Sequence, residues 1–475
     1  MVSLLPGTLM LRSGAWISCT CVVLWLKLLP RWQVWWRSTK VQPMSRRWPW
    51  PLNLLLGNGL SIEYAVAEFE NMDRQCQAAA YWHGCGEYRL LVRSRELLHD
   101  LLVKHRGSFL NDGRVVGSYF PQYLIGHAGP RWSNMRKEFF LALACPSHLQ
   151  EQAIVEASRK ATPLLLEDLL TGEDIAIALR KWSLRTFLYF ACAAELHNDD
   201  ISSFLQDCNT LAVGFQHRFD TLLPWWLPTS PNRRINAATL RMRATLERLI
   251  VDENRAGFGA CGAFLEHVQK SLRAGRLSRK QVLDNLAGFA FAGEDGTALL
   301  NIMEVLAEHT NVQDRIRIEL RSAAEDWWSI AEHSSASFLS KLQHTSPCTL
   351  WTVKEALRLR PPIPLFVRRA AEDCWLGEGV FVPKGGVVHV DLSSLAAEAF
   401  GPTFRPDRWA DADGWADAAC DYSYMPFGHG PRRCLGQGFV LPQLTTCLAL
   451  LLTSCRWHHG ADGELEVKLL EPDSN

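Results

Sequence analysis

Apolar residues recur at helical spacing through most of the chain. The periodicity predicts helices over Ser94 to Lys104, Pro130 to Ala144, Ile235 to Glu253, Arg279 to Glu308, Val312 to Ala324 and Leu350 to Leu359. Alternation with period two, the mark of a half-buried strand, is confined to short stretches such as Tyr88 to Val92, Val380 to Val382 and Val387 to Val390. The expected fold class is therefore mainly α with a small β region. The longest predicted helix carries its own start signal, because Ser278 followed by Gln281 makes a capping box. Its roughly 30 residues would reach about 45 Å, and a mostly apolar rod of that length belongs inside a core.

One stretch of that rod contradicts its surroundings. Ala292-Gly293-Glu294-Asp295-Gly296-Thr297 puts two glycines and two adjacent carboxylates in a helix interior. Each glycine costs about 1 kcal/mol relative to alanine, and the carboxylates add a desolvation cost. Local violations of this kind tend to mark a functional site.

A second segment carries more chemistry. Phe427-Gly428-His429-Gly430-Pro431-Arg432-Arg433-Cys434-Leu435-Gly436 sets one cysteine in a glycine- and proline-built turn, with two arginines before it and an apolar run after it. Such a turn suits the presentation of a thiolate to a haem iron. The glycines let the backbone approach a flat macrocycle, and backbone N–H groups there can tune the sulfur. Arg432 and Arg433 favour the thiolate and can pair with propionates, while Phe427 would keep water from the sulfur. The competing reading is a buried structural cysteine in a glycine-rich turn.

The spacing of Phe427, Gly430, Arg432, Cys434 and Gly436 resembles the haem-binding motif of the cytochrome P450 family. Further segments resemble that family's motifs, in its order. Ala292 to Thr297 is similar to its oxygen-binding stretch, with Asp295 in the acid position. Glu355 and Arg358, at i and i+3 before Pro361, resemble its Glu-x-x-Arg pair, and Arg408 in Phe404-Arg405-Pro406-Asp407-Arg408 completes that network. Trp132 and Arg136, at i and i+4, and Arg368 stand where the family places haem-propionate contacts, with Arg369 as a possible exchange for Arg368.

The resemblance covers residue 50 to the C-terminus. It implies a cytochrome P450 fold with a long central helix over haem b (iron protoporphyrin IX), Cys434 as metal ligand and Asp295 with Thr297 as the proton relay. It also implies that Glu355, Arg358 and Arg408 act as scaffold. The implied activity is that of a microsomal-type monooxygenase, of the kind found in fungal specialised metabolism. Such an enzyme inserts one atom of O2 into a hydrophobic small molecule, with electrons from a separate NADPH-cytochrome P450 reductase.

The sequence also departs from the pattern. The family's usual threonine position is Gly296, with the hydroxyl one residue later at Thr297, a turn of about 100° on a regular helix. Either the helix bulges at its glycines, or water relays the proton, or the enzyme is an isomerase, dehydratase or peroxide user without a reductase. Val390 to Phe404 is short for the family, and Pro442 would fall inside the helix after the ligand, at about 3 kcal/mol or a kink. Those two features favour the further alternative of a degenerate haem-binding protein.

Composition narrows the rest. Lysine plus arginine and aspartate plus glutamate are equal at 50 each, so no global basic field points to nucleic acid. The fourteen cysteines follow no framework spacing and read as reduced thiols. No acidic residue precedes Glu63, and the uncharged run Ser13 to Leu26 lies between Arg12 and Lys27, with tryptophans and further arginines after it. The run is shorter than the roughly 20 residues of a spanning helix, but its flanking charges can snorkel. An uncleaved anchor is favoured over a cleaved signal peptide, since no small-x-small cleavage site follows. The expected organisation is a membrane anchor and basic, proline-rich connector over 1–47, with a catalytic domain over 48–475. A single anchor in the endoplasmic reticulum membrane would leave that domain cytosolic.

Overall fold

A computed structural model describes residues 42–43, 62–73, 75–83, 87–144, 147–220, 226–251, 259–293, 295–410 and 422–470. The expected membrane anchor lies outside the described residues. The chain forms two compact units, each drawn from segments distant in sequence.

The first unit, 1–112 with 217–224 and 365–391, holds most of the β region. Its six-stranded sheet runs in the order β1 (Gln42–Pro43), β2 (Ala78–His83), β3 (Glu87–Val92), β8 (Val387–Asp391), β5 (Leu365–Ala370), β4 (Phe109–Leu110). A separate hairpin joins β6 (Cys374–Leu376) to β7 (Val380–Val382). Strand β3 pairs parallel with β8, Leu90 opposite Val388 and Val92 opposite Val390, and both strands are almost wholly buried. Helix α1 (Ile62–Asn71) covers the sheet through Ala65 and Phe69 against Ala79, Tyr81 and Leu91. Helix α2 (Arg95–His99) starts on the Ser94 cap and continues as a π-turn over Asp100–Lys104.

The second unit is helical. In chain order it contains α3 (Arg114–Tyr119), α4 (Gly129–Ala144), α5 (Ser147–Leu170), α6 (Ile175–Cys192), α7 (Asn198–Asp220, all but its last four residues) and α8 (Ser230–Val251). Then follow α9 (Ala263–Arg273), α10 (Arg279–Ala292), α11 (Asp295–Glu308), α12 (Thr310–Ala323), α13 (Trp327–His333), α14 (Ser335–Thr345), α15 (Pro347–Leu359), α16 (Leu392–Phe400) and α17 (Gln437–Ser454). Strands β9 (Cys455–His459) and β10 (Leu465–Leu469) close it as an antiparallel pair. Two apolar cores fill the unit, one rich in aromatics among α4, α6 and α8–α10, the other among α5, α11, α14, α15 and α17.

The single long helix expected over Arg279 to Glu308 is two helices. The capping box at its start forms as predicted, with Gln281 Oε1 accepting from Ser278 N–H at 2.8 Å. Helix α10 then stops at Gly293, whose backbone leaves the helical region (φ −73°, ψ 66°), and α11 begins at Asp295. Ser183 of α6 donates its hydroxyl to the Gly293 carbonyl at 3.1 Å, a side-chain bond of the kind that breaks the regular ladder.

Pro442 sits in the second turn of α17, and the helix continues through it to Ser454. The carbonyl that loses its partner belongs to Gly438, which is exposed and can turn to water. Helix α17 is apolar and long enough to cross a membrane, but most of it is buried in the second core, which accounts for its composition.

Candidate active site

Cys434 is the one exposed thiol among the nine cysteines that the structure describes. The others are buried, and burial pushes the Cys447 and Cys455 thiols, both near α17, well above the usual thiol range. The turn before Cys434 is closed by its own backbone, since Cys434 N–H donates to the Phe427 carbonyl at 2.8 Å and Arg433 N–H to Gly430 at 3.0 Å. Gly428 (φ 72°) and Gly430 (φ 70°) occupy the left-handed region, which a side chain would strain. Gly436 precedes α17 and packs near the sulfur, a Cβ there lying 3.7 Å from Cys434 Sγ. Phe427 is packed against the core of α5, α11 and α17.

The arginines beside the turn differ in environment. Arg433 is exposed, and its carbonyl accepts from Arg136 Nη2 at 2.8 Å. Arg432 lies over the Trp132 ring, its guanidinium carbon 3.7 Å from the centroid, and Arg136 meets the same ring at 5.6 Å. Burial and the neighbouring Arg136 push Arg432 down to about 10. Among the described residues no carboxylate pairs with Arg136 or Arg432, and the buried Arg432 Nη1 has no hydrogen-bond partner. Two partly desolvated cations side by side suit an anionic group. An accessible thiol beside them fits a metal cofactor that carries carboxylates.

The residues expected to act as scaffold meet as a closed network. Glu355 Oε1 accepts from Arg358 Nη2 at 2.8 Å, Arg408 Nε at 2.9 Å and Arg405 N–H at 3.0 Å, and Oε2 accepts from Arg358 Nε at 3.0 Å. Trp409 Nε1 adds a donor to Oε2 at 2.9 Å that the sequence reading did not include. Arg358 reaches on to the carbonyls of Gly401 and Thr403. A Glu-x-x-Arg pair by itself is an ordinary solvated helix pair, whereas both side chains here are wholly buried. The short connector after β8 leaves Arg408 in reach of Glu355, because α16 fills it and the chain turns at Gly401 (φ 74°).

Asp295 opens α11, but its side chain lies outside the described residues. Thr297 is half-buried on the same turn. Gly296 faces α6 so closely that a Cβ would lie 2.7 Å from the Leu179 carbonyl oxygen. Position 296 is thus turned onto a backbone, three residues after the helix is interrupted at Gly293. Arg368 lies in β5 of the first unit, over the Phe366 ring at 3.8 Å. Its neighbour Arg369 pairs with Glu87 and with Asp112.

Sequence reasoning missed the polar pair on α10. Asp284 and Asn285 are buried at 3% and 0% exposure and bind the backbone of Gln122 and Leu124. Two adjacent polar residues inside an otherwise apolar helix were the available signal.

Comparisons with known proteins show the family of the chain. The cytochrome P450 family model matches residues 44–471. The chain is similar to the cytochrome P450 monooxygenase sphH of Aspergillus fumigatus, 28% identical over 80% of this chain and 76% of that one. It is also similar to a cytokinin hydroxylase of Arabidopsis thaliana, 24% identical over 78% and 74% of the two chains. A solved structure, the retinoic acid bound cyanobacterial CYP120A1, superposes with a TM-score of 0.70 at 19% identity, covering 90% of this chain and 99% of that one. The chain belongs to the cytochrome P450 family. It is a haem-thiolate monooxygenase whose cofactor is haem b, and its reaction takes O2, a small-molecule substrate and electrons from a redox partner.

Proposed function

We propose that Cys434 is the thiolate ligand of the haem iron and that the enzyme hydroxylates or epoxidises a hydrophobic small molecule. The observation that carries this reading is the coincidence of the exposed Cys434 with the pair Arg136 and Arg432, which meet no carboxylate among the described residues. Arg136, Arg432 and Trp132 would hold the propionates, and the turn from Phe427 through Gly430 to Gly436 would present the sulfur. When bound, the haem supplies oxygen activation, with the thiolate favouring O–O cleavage.

The chain's own residues do the remaining work. Glu355, Arg358, Arg408 and Trp409 brace the segment leading to the cysteine turn. Thr297, with Asp295, would hold a proton for transfer on the distal side. Gly296, the feature that favoured a reaction without oxygen activation, packs on α6, which supports a shifted relay at Thr297 over a missing one. Electrons would come from NADPH-cytochrome P450 reductase, docked near the exposed Arg433. The charge pattern around Ser13 to Leu26 supports an anchor in the endoplasmic reticulum membrane.

The test is turnover with purified reductase, NADPH and isotopically labelled O2 across a panel of terpenoid, polyketide and fatty-acid substrates. One labelled oxygen atom in the product, dependent on reductase, is the expected result. Product formation without NADPH would contradict it.

A further inference from the structure

Helix α4 carries Trp132 and Arg136, and its opposite face is latched to the helical unit by one carboxylate. Glu138 follows Arg136 by two residues, which turns its side chain about 200° away on a regular helix. It is 7% exposed, and a single oxygen, Oε2, meets three partners. Ser271 Oγ donates to it at 2.6 Å, Arg276 Nε donates at 3.1 Å, and His267 Nε2 lies 3.4 Å away. Arg276 Nη2 donates in turn to Ser271 Oγ at 3.2 Å, which closes the group on itself.

The partners come from two places. His267 and Ser271 stand one turn apart on α9, and Arg276 belongs to the turn that joins α9 to α10, two residues before the Ser278 cap. That turn is itself tied down, because Arg276 N–H donates to the Ser271 carbonyl at 2.9 Å and Gly275 takes the left-handed region (φ 66°). Burial pushes the Glu138 carboxyl up, but the bonds from Ser271 and Arg276 outweigh it and hold the group below the usual carboxylate range. The latch is therefore a charged one.

Apolar packing alone does not fix where α4 stands. Its inner side, Met135, Phe139, Ala142 and Leu143, joins the aromatic core, with Phe139 edge-on to Phe289 of α10 at 5.3 Å. Such burial is non-directional and tolerates a small rotation or slide. The front of the helix meanwhile brings the like charges of Arg136 and Arg432 to one Trp132 ring, where they repel. A buried carboxylate with directional donors resists both displacements, since leaving its partners would strand a charge in the core.

We infer that Glu138 is a positioning residue for haem retention: pinned by Ser271, Arg276 and His267, it fixes the rotation and height of α4 and thereby aims Trp132 and Arg136 at the propionates. This deepens the haem-thiolate reading and rests on it.

The test is haem transfer from the full-length holoprotein to apomyoglobin, measured beside urea unfolding. Glu138→Ala is expected to speed haem loss by about ten-fold, and Ser271→Ala to speed it by less. Glu138→Gln, which can still accept from Ser271 and Arg276, should restore most of the wild-type rate. Asp207 pairs with the half-exposed Arg241 between α7 and α8 much as Glu138 pairs with Arg276. Asp207→Ala should therefore lower the unfolding midpoint without changing haem loss. Once Arg136→Ala is present, Glu138→Ala should add little to the rate.

A wild-type rate in Glu138→Ala, the same acceleration in Asp207→Ala, or full additivity with Arg136→Ala would each overturn the inference and leave the haem-thiolate reading standing. Haem loss unchanged by Arg136→Ala itself would overturn the propionate assignment and the inference with it. If Glu138→Ala fails to fold, Ser271→Ala and Arg276→Ala serve the same comparisons.

Discussion

Gly296 of α11 rests on the backbone of α6 at Leu179, with no space for a Cβ between them. Any side chain at position 296 would meet the Leu179 carbonyl oxygen.

Restoring threonine at that position should therefore harm the protein. Gly296→Thr is expected to lower stability by about 1–3 kcal/mol through overpacking, without improving the fraction of NADPH electrons that reach product. Thr297→Ala should leave stability near wild type and divert electrons to hydrogen peroxide. Urea unfolding together with a peroxide assay separates the two.

The network at Glu355 makes a second prediction. Glu355→Ala leaves Arg358 buried without its counter-charge and Arg408 deprived of its carboxylate partner, so a loss of about 3–5 kcal/mol is expected. Glu355→Gln keeps the volume and two of the hydrogen-bonding positions and should lose less. Chemical denaturation, followed by both haem absorbance and circular dichroism, measures the cost.

Arg432 makes a third. Its stacking on Trp132 and its unpartnered Nη1 suit it to a cofactor carboxylate. Arg432→Ala should speed haem loss to apomyoglobin by about ten-fold or more, in line with a lost charge-assisted bond. A control substitution at Arg433, which is exposed, should change haem loss little and weaken reductase binding at low salt.

The cysteine turn should also be sensitive to acid. Burial, and then the charge of Arg433, hold His429 below the ordinary histidine value of 6.5, and its ring packs edge-on against Tyr422 at 4.8 Å. In the window between the unfolded value of 6.5 and the lower folded value, the unfolded chain binds a proton that the fold refuses. Stability is then present above that window and falls as the pH drops through it. Denaturation midpoints measured between about pH 7.5 and about pH 5.5 should decline in the wild type and decline less in His429→Gln.

Much of the fold was legible because its signals are local. The capping box at Ser278, the alternation in Tyr88 to Val92 and the helix ended by Pro361 all appear where the pattern puts them. Helix α6 was not foreseen, since it is apolar on several sides and twelve of its residues are buried, which blurs any single-face period. The break at Gly293 needed knowledge of Ser183, more than a hundred residues earlier in the chain. The same distance hid the grip of Asn285 on Leu124. The cysteine motif was readable because its glycines, arginine and thiol are contiguous, whereas Trp132 meets Arg432 only through folding.

The central claim is that Cys434, and no other cysteine, ligates the haem iron. The carbon-monoxide difference spectrum of the reduced full-length protein tests it most directly, with Cys434→Ala and Cys447→Ala measured in parallel. Wild type and Cys447→Ala should show the strongly red-shifted Soret band of thiolate ligation, and Cys434→Ala should not. Persistence of that band in Cys434→Ala, or its loss in Cys447→Ala with the fold intact, would contradict the account.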